Sequence, residues 1–335
     1  MKRLRLAAFL LSLTFVRAHA LDPQPDGLFV RVVDVGAGLC CVIKMPDNHC
    51  MVYDAGNFQD SGKTAFQAIT NLIPKNSSID YLVLSHTDSD HVAAVGDICK
   101  SYTLRNIVHP GLRRFNPKWQ DAEAAIRREV KKDHAQELNL AKTALTPGQH
   151  FELGGVAVSF VCGFSKPPSD WDIADDSERY NAGSIVVRLT FKGKSILFCG
   201  DAVGRHLDDP PGACINTEKF MVDHAATVPI AADVMIAPHH GSEGASSPDF
   251  IRAVRPHDVI FSAGHKFEHP RKSAVQRYLD FGITEPHLFR TDRGDNEGGK
   301  EWIQSPGNAP DPPGDDDVDV LITKSGTVTV AYRNN

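Results

Sequence analysis

Residues 81–91, Tyr-Leu-Val-Leu-Ser-His-Thr-Asp-Ser-Asp-His, set two imidazoles and two carboxylates within six positions straight after an apolar run. The run 81–84 reads as a buried strand, which places His86, Asp88, Asp90 and His91 on the loop at its C-terminal edge, where α/β proteins gather their chemistry. Neutral imidazole and ionised carboxylate are ligands for hard to borderline divalent cations, and one loop can aim two of them at each of two ions. The competing reading is a polar turn whose histidines cap the next helix. A lone His-X-Asp would suit it; four ligand-type side chains in six positions point to a two-metal site. Two later apolar runs end the same way: 195–199 leads into Gly200-Asp201, and 234–237 leads into Pro238-His239-His240-Gly241-Ser242. Strands that each terminate in a ligand-type residue are how a fold assembles one site from distant segments.

These motifs are similar to those of the metallo-β-lactamase superfamily, and in particular its ComEC-type branch, the hydrolase domain of competence channels and its free-standing relatives. The resemblance spans roughly residues 29–332. Val33-Asp34-Val35-Gly36-Ala37-Gly38 resembles the branch's opening Asp-Val-Gly-X-Gly, and Met51-Val52-Tyr53-Asp54-Ala55-Gly56 its following strand and Asp-X-Gly. The six-residue motif resembles the family's His-X-His-X-Asp-His, with Asp88 at its second histidine, a replacement typical of the branch. Asn181-Ala182-Gly183-Ser184 resembles an Asn-X-X-Ser strand where most members supply a further histidine. Phe198-Cys199-Gly200-Asp201 is similar to the bridging-aspartate motif, and Ser262-Ala263-Gly264-His265 with His269-Pro270 to the closing element.

The resemblance implies an α/β fold of the αββα four-layer sandwich type, with two mixed sheets face to face, helices outside and metals at one rim. It implies a first metal position at His86 and Asp88, with Asn181 as a weak oxygen ligand or orienting group. The second holds Asp90, His91 and His240, and Asp201 bridges both. Choosing His240 over His239 rests on analogy with members in which the ligand is followed by X-Ser. Asp54 fits a carboxylate that accepts the outward N–H of a metal-bound imidazole. Asp90 and Asp201 are the catalytic carboxylates, and His265 and His269 are candidates for contacting a substrate phosphate or protonating a leaving group.

At the N-terminus, Met1-Lys2-Arg3-Leu4-Arg5 is basic, residues 6–16 are apolar, and Ala18-His19-Ala20 supplies small residues before a cut after Ala20. This pattern is a secretory signal peptide, the apolar run being short for a membrane anchor, and it implies a secreted or periplasmic protein. Residues 21–335 then form a single hydrolase domain with a helical insert at about 112–145 and a Gly/Pro/Asp-rich excursion at about 294–317. No mature segment is apolar enough to span a bilayer.

Cleavage removes Lys2, Arg3, Arg5 and Arg17 and no acid, leaving 32 of 36 basic residues against 42 acidic ones and a formal charge of −10. Long nucleic acid is held through phosphate neutralisation, so no stable long-DNA complex is expected. The cluster Arg127-Arg128 with Lys131-Lys132 alternates with Glu123, Glu129, Asp133 and Glu137 in a helical stretch around 121–144, and reads as a solvated face.

Seven cysteines are present, an odd number that leaves at least one free thiol or an intermolecular bond. Cys40 or Cys41 is placed to meet Cys50 across a short hairpin, and Cys199 reads as a small buried apolar residue. No CxxC pair exists, so zinc binding by thiolates is not indicated. Helices are expected at 63–73 and 91–100 and a hairpin at Gly154-Gly155. The polar loop 165–180 either drapes over the site or is a surface excursion.

Two divalent ions about 3.5–4 Å apart lower the pKa of a water between them and neutralise oxygens of the reacting group, which suits phosphodiester hydrolysis. The extra carboxylate at Asp88 shifts preference from zinc toward manganese, and magnesium also fits. The sequence therefore implies a phosphodiesterase or nuclease acting on phosphodiesters or small anionic molecules; the alternative is hydrolysis of a small ester, thioester or lactam.

Overall fold

The computed structural model describes residues 21–57, 60, 62–112, 114–132, 134–295, 297–304, 314 and 316–333. The leader predicted at 1–20, and much of the excursion at 294–317, lie outside them. The first half runs β1 (Leu28–Val32), β2 (Gly38–Lys44), β3 (Cys50–Asn57), α1 (Lys63–Leu72), β4 (Ser78–Val83), α2 (Ser89–Val92), α3 (Val95–Ser101), β5 (Thr103–His109), α4 (Pro117–Lys131) and β6 (Gln136–Asn139). The second runs β7 (His150–Leu153), β8 (Val156–Cys162), α5 (Asp176–Ala182), β9 (Val186–Phe191), β10 (Lys194–Phe198), α6 (Asn216–His224), β11 (Val234–Ile236), α7 (Pro248–Val254), β12 (Asp258–Phe261), α8 (Lys272–Phe281) and β13 (Leu288–Arg290). A closing hairpin of β14 (Val318–Ile322) and β15 (Val328–Tyr332) returns to the first sheet.

One sheet has the order β15-β14-β1-β2-β3-β4-β5-β6 and the other β13-β12-β11-β10-β9-β8-β7. Both are mixed: β3 to β6 are parallel, as are β10 to β13, and the remaining neighbours are antiparallel. Period-2 alternation sends each strand's side chains to two layers. Val30, Ile43, Met51 and Tyr53 of the first sheet pack with Val158, Leu189, Ile196 and Phe198 of the second. The opposite faces bury Val42, Val52 and Leu82 against Ala65, Ile69 and Trp119 of the helices, and Leu197, Met235 and Val259 against Met221, Phe250 and Val275. This is the four-layer αββα arrangement. Tyr53 ties the two sheets by donating its hydroxyl to the Ile185 carbonyl at 2.7 Å.

Some local expectations are corrected. The helix expected around 121–144 ends at Lys131, and the chain returns as the edge strand β6, paired parallel to β5. Asn181 is not in a strand: Asp175 caps α5 through the Glu178 amide at 2.8 Å, Asn181 sits on its last turn, and β9 begins at Val186. The sharp reversal at Gly154-Gly155, where φ is 55° and 72°, joins β7 and β8 as expected. The β2–β3 register sets Cys50 opposite Lys44 and Cys41 opposite Tyr53, so neither Cys40 nor Cys41 faces Cys50, and all seven cysteines are free. Cys199 is fully buried. Among the described residues no helix is long and apolar enough to cross a membrane.

Candidate metal centre

Strands β4, β10, β11 and β12 end at one rim, and the loops that leave them carry the ligand-type residues. After β4 the chain turns through His86 and Asp88 into α2, whose single turn carries Asp90 and His91. This loop packs directly on β3 because position 56 is glycine: a Cβ there would stand 2.7 Å from the His91 nitrogen and the Asp90 carbonyl carbon. Gly200 plays the same part after β10, where a Cβ would come within 2.6 Å of Ser85. Asp54, His239 and His240 all have left-handed backbones, at φ 56°, 49° and 57°. Such conformations cost energy in non-glycine residues and persist where the surrounding structure imposes them, commonly at functional sites.

Asp201 lies at the centre. Its Oδ1 is 3.3 Å from His91 Nε2 and 3.4 Å from His240 Nε2, whereas its Oδ2 is 3.8 Å from His86 Nε2 and 3.7 Å from His239 Nε2. Asp90 Oδ2 stands 3.7 Å from both His91 Nε2 and His240 Nε2. Two groups able to hold a cation result, His86 with His91 and Asp201, and Asp90 with His91 and His240. The rings are fixed from behind. His91 Nδ1 is 2.9 Å from Asp54 Oδ2, and His240 Nδ1 donates to the Ser262 carbonyl at 2.7 Å. Asp54 is itself held by the amide and hydroxyl of Ser85 at 2.7 and 2.6 Å, and the Asp201 amide donates to Ser184 Oγ at 3.0 Å.

Electrostatics follow from this crowding. Burial would raise the Asp201 carboxyl, but the imidazoles of His240, His91, His239 and His86 outweigh it and hold it well below the usual range. Burial, reinforced by His91, keeps His86 neutral. Burial and the neighbouring Asp90 push Asp88 up to about 7. His86 Nε2, Asp90 Oδ1 and Asp201 Oδ1 are buried with no hydrogen-bond partner. Orphaned acceptors on a buried imidazole and carboxylate donor set fit divalent cations.

The remaining predicted residues divide. Asp88 Oδ2 lies 4.0 Å from His86 Nε2, at the edge of the cluster, and its other oxygen is ion-paired with Arg114, which also packs on the Tyr180 ring. Asn181 and His239 touch, Nδ2 to Nε2 at 3.5 Å, and line the adjoining cleft with His269. Burial and the imidazoles of His239 and His240 keep His269 neutral. His265 is not at the centre: it is exposed and its Nδ1 meets Glu301 at 3.1 Å. Sequence reasoning missed Ser85 and Arg114, and noted Ser184 only as part of a motif. Ser85 carried a signal, immediately preceding the first histidine; Arg114 carried none, because it reaches Asp88 only through the β5–α4 connection.

Residues 33–168 match the model of the Metallo-beta-lactamase superfamily. The chain is similar to Competence protein ComA of Neisseria gonorrhoeae, 26% identical over 86% of this chain and 34% of that protein. It is also similar to ComE operon protein 3 of Bacillus subtilis, 24% identical over 66% of this chain and 24% of that one. It thus spans about a third or less of the length of these relatives. Among solved structures, the metallo-beta-lactamase fold protein YhfI from Bacillus subtilis is 13% identical, with a TM-score of 0.45 over 80% of this chain and 96% of that one.

Proposed function

We propose that this chain, whose residues 33–168 match the Metallo-beta-lactamase superfamily model, is a hydrolase of phosphodiesters that works with two divalent cations. The placement of Asp201 carries this reading, since its two carboxylate oxygens face imidazoles on opposite sides. His86 and Asp88 would hold the first cation, Asp90, His91 and His240 the second, and Asp201 both. When bound, the pair supplies an activated water and neutralises charge on the phosphate oxygens.

The chain's own side chains do the rest. Asp54 and the Ser262 carbonyl fix the Nδ1–H tautomers of His91 and His240, so that both rings present Nε2 inward. Arg114 orients Asp88 by holding one of its oxygens. Asn181 and His239 form the wall against which substrate lies, and the neutral His269 is the side chain we assign to contact the substrate phosphate through its ring N–H. The carboxylate at Asp88 favours manganese over zinc at the first position. The basic leader and small-residue site at 18–20 support export with cleavage after Ala20.

The test is metal analysis of purified protein followed by turnover assays on single-stranded DNA, RNA, dinucleotides, esters, thioesters and lactams, with Asp201→Ala as the blank. Manganese-supported cleavage of phosphodiesters that is lost in the blank is the expected result. Turnover of an ester, thioester or lactam with every phosphodiester untouched would transfer the site to that second substrate class.

A further inference from the structure

The metal centre opens into a cleft of about 530 Å³, a volume suited to a small ligand rather than a polymer. Two loops form its long walls. The chain after β10 is buried at Asp201 and emerges stepwise to exposed Leu207. The chain after β11 runs beside it, joined by His239 N to Gly200 O at 2.9 Å and by Gly204 N and Arg205 N to Gly244 O at 3.0 and 3.1 Å. The inner ends thus carry Asp201, His239 and His240, and the outer end carries Arg205. Helix α5 closes a third side, with Asn181 inward and Glu178 bound to His206 at 3.1 Å.

Two polar groups on these walls lack a partner, and a third, the Arg205 guanidinium, meets only carbonyls. Asn181 Oδ1 and Ser242 Oγ are buried and unbonded, in residues only 7% and 6% exposed. The described partners of the Arg205 side chain are two carbonyls, of His206 at 3.5 Å and Asp209 at 3.0 Å, so its charge meets no carboxylate among them. The cleft's acids are otherwise engaged or at its mouth. Asp175 caps α5, Glu178 binds His206, Glu243 accepts from Ser273 Oγ at 2.8 Å, and Asp208 is exposed. Arg271 is already paired with Glu268 at 3.3 Å.

We propose that Arg205 and Ser242 form a subsite for a second anionic group, so that the substrate is a nucleotide-sized phosphodiester carrying a further phosphate beside the bond that is cut. This rests on the phosphodiesterase reading above. Arg205 follows Asp201 by four residues, which span at most about 14 Å of extended chain, within reach of a short ligand. A guanidinium and a hydroxyl are the donors that bind phosphate oxygens most directly. The acidic chain would repel a long polyanion, and one local cation set in a cleft selects a short one instead.

The experiment compares the dinucleotides pTpT and TpT, which differ by the 5′-phosphate, with manganese-loaded full-length mature protein. The expected kcat/KM ratio is roughly tenfold or more in favour of pTpT, as for one charge-assisted hydrogen bond. Arg205→Gln should bring the ratio near one, Arg205→Lys should restore part of it, and Ser242→Ala should reduce it. Calorimetric binding of thymidine 3′,5′-bisphosphate, which contains no diester, separates the two ideas. Should no diester be cleaved while Arg205→Gln weakens bisphosphate binding roughly tenfold, the subsite stands and the phosphodiesterase reading falls. Equal turnover of both dinucleotides, or a ratio and a bisphosphate affinity indifferent to Arg205→Gln, overturns the subsite.

Discussion

The Nε2 atoms of His91 and His240 face each other at 3.3 Å, although each ring's Nδ1 is already taken, by Asp54 and by the Ser262 carbonyl. With both protons on Nδ1, two lone pairs point at one another in a buried space. A cation between them converts that repulsion into ligation. Stripping metal with a chelator should therefore destabilise the fold as well as silence it. A cation at a hundred times its Kd adds about 2.7 kcal/mol, which for a chain of this size is roughly 4 °C in Tm per site. Differential scanning calorimetry with and without EDTA reads this directly, and an unchanged Tm would contradict it.

Asp201 faces His91 and His240 with one oxygen and His86 and His239 with the other, so Asp201→Ala should lower bound metal from two ions to one or fewer per chain, as counted by plasma mass spectrometry. Full metal content in that variant would mean the carboxylate is not shared.

Asp54 acts on the centre through His91. Asp54→Asn keeps the size but weakens the acceptor for Nδ1–H, and the loss expected from such a supporting group is about 10- to 100-fold in metal affinity. Competition with a chelating dye measures it. An affinity within twofold of the parent would show that Ser85 alone suffices to hold the ring.

Gly56→Ala forces a Cβ against the backbone of the ligand loop at 2.7 Å, where nothing flexible can yield. Overpacking of this kind costs about 1–3 kcal/mol or more. Gly96, on α3, has nothing within 4 Å of its Cβ position, and Gly96→Ala should stabilise by roughly 0.5–1 kcal/mol. Urea titration of both variants checks the opposite signs.

The edge strand β6 carries the acid-sensitive contact. Hydrogen bonding from buried His109 lowers the Glu137 carboxyl from 4.5 to about 2, against the opposing effect of its own burial. A depressed acid contributes stability above its unfolded pKa that disappears as pH falls through its folded one. The contribution should thus fade between about pH 4.5 and 2. Glu137→Gln should flatten the stability profile over that interval and lower stability near neutrality; a profile identical to the parent's would remove Glu137 from the account.

What the sequence determined by itself is local and contiguous. His86, Asp88, Asp90 and His91 are legible because one loop carries all four, Asp201 because it follows an apolar run whose period and length mark a strand, and His240 only as one of an adjacent pair, chosen over His239 by analogy. The alternation of strands and helices indicates an α/β chain, and the four-layer arrangement was implied only by the family resemblance those motifs carry. Tertiary structure decided what depends on where separate segments meet. It set His239 against Asp201 Oδ2 while His240 took Oδ1, a division that two adjacent histidines do not announce. It also moved His265 away to Glu301 and put Cys50 opposite Lys44. Arg114 on Asp88, and Arg205 with Ser242 in the cleft, are likewise invisible in one dimension: their partners lie tens of residues away, and only the packing of loops at the sheet rim brings those charges into one low-dielectric space.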